Sequence, residues 1–271
     1  MSMIFPPSEG NIKGFEQEGR MATRVGIVIL GDEVLKGEIR EANLAYMIPR
    51  LAEWGAETAL CAILPDDIPV VVRHLQRYLE EVDLLVLTGG IGPTPDDITR
   101  DAVAEVAGVP LIVHPEAKAA LEAMPYRGSN PEYRMLMAQV PQGATLIPNP
   151  LSPAPGFFIG RMAIFPGVPR MLQAMFEWVK PMVSGRRKSR ITLFSMAPES
   201  SYAGIMKEAM EAFPGIGVGS YPLSEGEYRV RVVFRGDRFD RTDACAAVFA
   251  RRLAGIGFEV LRRVEERGDD A

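Results

Sequence analysis

The residues with the clearest chemical use lie in one run: Thr88-Gly89-Gly90-Ile91-Gly92-Pro93-Thr94-Pro95-Asp96-Asp97-Ile98-Thr99-Arg100-Asp101. Gly89, Gly90 and Gly92 can take positive φ and let a ligand approach the backbone. Successive N–H groups in such a loop form a concavity that suits phosphate oxygens. Asp96, Asp97 and Asp101 do not attract phosphate themselves. They fit a divalent cation, with Asp96 and Asp97 as its ligands, lying between carboxylate and phosphate. Thr88, Thr94 and Thr99 add hydroxyls, and Thr99 or Asp97 could cap a following helix. A tight turn with a capping aspartate would use some of the same residue types. Three glycines, two prolines and three carboxylates in one strand-to-helix connection favour a ligand site, since open α/β sheets bind ligands at the C-terminal ends of strands.

Two other stretches have related chemistry. Gly31-Asp32-Glu33-Val34-Leu35-Lys36-Gly37 is a second glycine loop that carries two carboxylates. Gly-Asp pairs also mark plain turns, so the residues alone leave both readings open. Pro166-Gly167-Val168-Pro169 precedes an apolar-periodic segment, and the Gly167 N–H with the helix start would favour an anionic group. A helix-starting turn explains it equally well.

The elements that must position these loops follow from periodicity. Arg24 to Leu30 and Asp83 to Leu87 are apolar runs of buried-strand type. Glu41 to Trp54 has an amphipathic helical pattern, Thr58 to Leu64 reads as a strand, and Ile68 to Glu81 as a helix capped by Asp67. Ile98 to Ala107 is helical. A short strand at Val109 to Val113, helices at Pro115 to Met124 and Glu132 to Ala138, a strand at Met162 to Phe165 and a helix at Arg170 to Met182 complete the alternation. Residues 126–131 read as a loop. The alternation predicts a three-layer α/β/α domain with a mostly parallel sheet over residues 24–183. Residues 1–23 read as a flexible extension and 184–190 as a basic linker. Residues 191–265 have a β-α-β-β-α-β order, a small α+β domain with no acid–base constellation.

The chain has 271 residues, 47% of them hydrophobic, which is enough for a sizeable core. A net charge of −5 gives no global attraction to nucleic acid or anionic membrane. No apolar run is long enough to span a bilayer, and no signal peptide is expected at the start. Cys61 and Cys245 have no metal-ligand spacing and suit a reducing cytoplasm; Cys61, inside an apolar run, reads as core. His74 and His114 read as ordinary structural residues.

The run TGGIGPTPDDITRDA resembles the signature of the molybdopterin-binding-domain family, and within it the CinA-like (competence/damage-inducible protein A) branch. Asp97, Thr99 and Asp101 fall on the Asp, Thr and acidic positions of the family's adenylyltransferase pattern, and the double aspartate Asp96-Asp97 is similar to the CinA-like branch. Glu33 and Gly37 match the branch's G-T-E-L-x-x-G, with Asp32 in place of the usual Thr. Asn43 falls on the segment that follows that loop, and Asp66 on an acidic position near the site. Val140 to Asn149, Ala154-Pro155-Gly156-Phe157 and Pro166-Gly167-Val168-Pro169 resemble later family blocks, with Ser152-Pro153 departing from the usual glycine. The resemblance runs from about Arg24 to Arg263. It does not extend to the amidase-like domain of longer CinA proteins, so deamidation of nicotinamide nucleotide is not expected.

The resemblance implies a small-molecule nucleotide or pterin ligand and self-association as a dimer or trimer. The expected activity is metal-dependent hydrolysis of a nucleotide pyrophosphate such as ADP-ribose or FAD, with Mg²⁺, Mn²⁺ or Co²⁺ as cofactor. Asp97, Asp96 and Glu33 are the expected catalytic groups. Thr88, Gly89, Gly90, Gly92, Thr94, Thr99, Asp101, Gly31, Asp32, Gly37, Pro166 and Gly167 are the expected ligand contacts. A molybdopterin adenylyltransferase and a binding protein without catalysis are the alternatives.

Overall fold

The computed structural model describes residues 22–124 and 130–269. Most of the expected N-terminal extension, and residues 126–129 of the expected loop, lie outside them. The chain divides at Gly185/Arg186 into two compact units.

In the first unit the order is Arg24–Leu30 (β1), Asp32–Leu35 (α1), Asn43–Glu53 (α2), Glu57–Leu64 (β2), Ile68–Glu81 (α3), Leu84–Thr88 (β3), Thr99–Ala107 (α4), Leu111–Val113 (β4), Pro115–Ala123 (α5) and Pro131–Leu136 (α6). There follow Gln139–Pro141 (β5), Thr145–Ile147 (β6), Gly156–Ile159 (β7), Met162–Phe165 (β8), Pro169–Met175 (α7) and a 3₁₀ segment, Phe176–Met182.

Six strands form one sheet in the order β2-β1-β3-β8-β7-β6. β1 pairs parallel with β2 and β3, and β3 with β8, while β7 and β6 add an antiparallel edge. Strand residues alternate between two cores, as the pleat requires. Val25, Ile27, Ile29, Leu84 and Val86 face α2, α7 and the 3₁₀ segment. Val28, Leu30, Leu85 and Leu87 face α3 and α4. Both faces of β3 are therefore covered, which is why its sequence is uninterruptedly apolar. Asp67 caps α3 by accepting from the Val70 N–H at 2.9 Å, as read from the sequence.

Several expectations change. The segment 32–35, read as loop, is a short helix. β5, β6 and β7 were not foreseen, and β4 pairs with β5 in a separate two-stranded sheet. The last helix of the unit stops at Met175 and tightens to 3₁₀ geometry, where Pro181 removes a backbone donor. Cys61 is exposed, not core, because β2 is an edge strand.

The second unit contains Ser189–Ser195 (β9), Glu199–Ala212 (α8), Gly217–Pro222 (β10), Val230–Gly236 (β11), Phe239–Gly255 (α9) and Val260–Glu266 (β12). β9 begins inside the segment read as linker. The sheet order is β10-β11-β9-β12, all antiparallel. Both helices pack on one face over Ile191, Leu193, Val232 and Phe234, and α9 contributes Phe249 to that core.

Candidate functional site

β1 leads out to β2 on one side, and the chain returns to β3 on the other. The strand order thus reverses at β1/β3, the switch point where open α/β sheets leave a crevice beyond the strand ends. The loops after β1, β3 and β8 meet there, around a cavity of about 520 Å³.

The glycine loop after β3 is held from behind. Gly89 has φ +105°, and a Cβ there would lie 2.0 Å from the Leu30 carbonyl oxygen, so only glycine fits. The Gly89 N–H donates to the Phe165 carbonyl at 3.1 Å. Thr99, fully buried, donates its hydroxyl to the Gly89 carbonyl at 2.8 Å, and its N–H donates to the Gly90 carbonyl at 3.0 Å. Arg100 is buried, and its guanidinium donates to the carbonyls of Ile91 and Gly92. Burial pulls its pKa down to about 10, with Asp97 and Asp101 opposing the fall. Among the described residues the N–H groups of Gly90 and Ile91 have no acceptor.

Asp97 organises the same loop. One carboxylate oxygen accepts the Gly92 N–H at 2.6 Å; the other accepts the Thr94 N–H at 2.8 Å and the Thr94 hydroxyl at 2.6 Å. A carboxylate offers about four lone-pair sites, so about one is left for anything else.

The loop after β8 approaches closely. A Cβ on Gly167 would sit 3.2 Å from the Gly89 Cα. The Thr88 hydroxyl donates to the Pro166 carbonyl at 2.8 Å. Asn43, at the start of α2, donates from Nδ2 to the Gly167 carbonyl at 3.0 Å and to Thr88 Oγ1 at 3.4 Å. Its Oδ1 is buried without a partner. Glu41 takes up the first helical donors of α2: its carboxylate accepts from the N–H groups of Asn43 and Leu44.

Of the residues expected at the site, Glu33, Thr88, Gly89, Gly90, Gly92 and Asp97 line the cavity, as do Pro166 and Gly167. The Glu33 carboxylate is half-buried and has no hydrogen-bond partner among the described residues. Thr88 and Thr99 spend their hydroxyls on backbone carbonyls. Gly31, Gly37, Thr94 and Thr99 lie off the cavity wall, and so do Asp96 and Asp101, which are exposed. Asp32 and Asp66 bond reciprocally: the Asp32 N–H donates to Asp66 at 2.9 Å and the Asp66 N–H to Asp32 at 3.3 Å. The Lys36 ammonium beside Asp32 holds its carboxyl below the usual range. Burial, with the charges of Glu33, Asp32 and Asp96, pushes the Asp66 carboxyl up. Among the described residues no three His, Cys, Asp or Glu side chains come together to hold a metal.

Sequence reasoning missed Arg40, the one basic side chain among the described residues on the cavity wall, and Arg100, which braces the loop. A basic residue in a polar turn or on a helix gives no periodic signal that separates it from a solvated one.

This sheet and loop arrangement is that of a molybdopterin-binding domain. The family described as a probable molybdopterin binding domain matches residues 26–185, and the chain belongs to that family, in its CinA-like branch. The family described as FAD synthase, middle domain, matches residues 189–259. A relative in Desulforudis audaxviator named for competence-damage induction is 37% identical over 220 residues, 76% of this chain and 52% of the relative. The chain therefore spans about half the length of that relative. A Pyrobaculum arsenaticum protein is 34% identical over 209 residues, 72% of this chain and 78% of its own length. The crystal structure of a CinA protein of unknown function from Thermoplasma acidophilum aligns with a TM-score of 0.55 and 29% identity, covering 59% of this chain and 97% of that one.

Proposed function

We propose that the cavity binds the diphosphate of a nucleotide and that the first unit hydrolyses its phosphoanhydride bond. The observation that carries this reading is the glycine loop, whose free Gly90 and Ile91 N–H groups belong to the wall of a cavity of nucleotide size. Arg40 adds a cation to the same wall. In this reading the loop and Arg40 hold the phosphates. Glu33, the cavity carboxylate with no bond to spend, takes the proton of the attacking water. The water oxygen bonds to one phosphorus, the bridging P–O bond breaks, and ADP-ribose would give AMP and ribose 5-phosphate.

The donor set fits a divalent cation, Mg²⁺, Mn²⁺ or Co²⁺, only together with the substrate. Asp97 has room for one further contact, and small cations are often held by one or two carboxylates plus substrate phosphates. Such a cation supplies charge neutralisation and a more acidic water when bound. Asp96, exposed and off the wall, is left out of this arrangement.

Chromatography of ADP-ribose, FAD and NAD, each incubated with the three cations, tests the reading. Wild type should cleave at least one of them. Glu33→Gln should lower kcat by about 100-fold, and Arg40→Ala should raise KM instead. No turnover with any pair would overturn the hydrolase, and turnover of molybdopterin with ATP would replace it by adenylyl transfer.

A further inference from the structure

A second hollow of about 400 Å³ adjoins the first, and diphosphate binding gives it no role. Met137 and Ser152 line both. Gly92 belongs to the main cavity and the next residue, Pro93, to the second, so the glycine loop runs along the divide. The second hollow carries two large side chains open to solvent: Met124 is 61% exposed and Tyr133 52%. Among the described residues the Tyr133 ring has no ring or hydrogen-bond partner. The polar groups around it are partly engaged within the fold. Asn130 accepts the Glu132 N–H at 2.9 Å, Ser152 accepts the Ala154 N–H at 3.2 Å, and the Arg134 guanidinium donates to the Met124 carbonyl. Most of the wall is nonetheless apolar and aromatic, with the remaining Arg134 donors beside it.

We propose that this hollow takes an aromatic ring at the far end of the ligand whose diphosphate lies on the glycine loop. The inference rests on the function proposed above and narrows it. The preferred substrate is a dinucleotide with a ring system at each end, not a sugar diphosphate. A diphosphate centred on the divide sends one arm to each side. One arm enters the main cavity, and the other brings a flat ring against Tyr133 and Met124. Stacking on an exposed tyrosine depends on a π-face more than on particular hydrogen bonds, so flavin and nicotinamide rings are both acceptable.

Calorimetry on the full chain with ADP-ribose, NAD and FAD, in Mg²⁺ and again in EDTA, tests this. Wild type should bind FAD or NAD about tenfold more tightly than ADP-ribose. Tyr133→Ala should erase that preference and leave ADP-ribose affinity unchanged; among the described residues the ring has no ring or hydrogen-bond partner, so the variant should keep its melting temperature. Equal affinity for all three ligands, or an equal loss with all three in the variant, would overturn the subsite while leaving the nucleotide reading intact. A change of oligomeric mass in Tyr133→Ala with no change in FAD binding would also overturn it, by assigning the ring to a contact between chains. Binding of none of the three by wild type would overturn the nucleotide reading itself and the subsite with it.

Discussion

Asp66 sits half-buried beside three other carboxylates, and its own is the one whose ionisation is made costly. Its folded pKa lies above the unfolded value, so its contribution to stability is complete below the unfolded pKa, where it is protonated in both states. That contribution is lost as pH rises through the folded pKa. Asp66→Asn keeps an oxygen to accept the Asp32 N–H but cannot ionise. Thermal melts of variant and wild type should coincide near pH 3, and the variant should melt higher at pH 7. The gap should be a few degrees at most, because the site is partly exposed and screened. A wild type that melts higher at pH 7 would show that the carboxylate charge is used by the fold. Asp97 accepts three short hydrogen bonds from its own loop, one from the Gly92 N–H and two from Thr94. These bonds tie Gly92 and Thr94 to one carboxylate within the loop itself.

At the scale of elements, two glycines with similar backbone signs should respond differently to alanine. Gly89→Ala meets both a positive φ and a backbone oxygen that cannot withdraw, and should cost about 3–5 kcal/mol. Gly37, at φ +73°, has nothing within 4 Å of a new Cβ. Its replacement should cost about 1–2 kcal/mol, the conformational term alone. Denaturant midpoints at constant m-value measure both; equal losses would mean that the close approach of β1 and β3 relaxes freely. The central elements were legible in the sequence because burial and periodicity agree there: β1 and β3 are apolar on both faces, and α3 carries its own cap. β5, β6 and β7 are only three or four residues long and sit among prolines and glycines, too short for a period to register. Cys61 was misread because an apolar run on an edge strand looks like one at the centre. Gly89, Gly90, Gly92 and Asp97, read from the sequence by residue type, lie on the cavity wall. The latch from Asn43 to Gly167 was not legible, since it links residues 124 positions apart.

For the whole molecule, each unit has its own core. The first holds two layers around its sheet, and the second closes over Tyr202, Phe234 and Phe249. Segments covering residues 22–185 and 186–269, expressed separately, should each give a cooperative thermal transition and native-like circular dichroism. A second segment without a cooperative transition would show that its core is too small to stand alone. No helix among the described residues is long and apolar enough to cross a membrane.

The three loops of the cavity come from distant parts of the chain, with Asn43, Thr88 and Gly167 tied by hydrogen bonds across β1, β3 and β8. Synthesis therefore delivers the glycine loop well before the loop that closes against it. Until β8 has left the ribosome and taken its place beside β3, Thr88 and Asn43 lack the carbonyls of Pro166 and Gly167 that they bond. Such long-range pairings form late and slowly. A nascent chain that ends before residue 166 carries the recognisable motif and no finished pocket, so the cavity is complete only once Pro166 and Gly167 have been made.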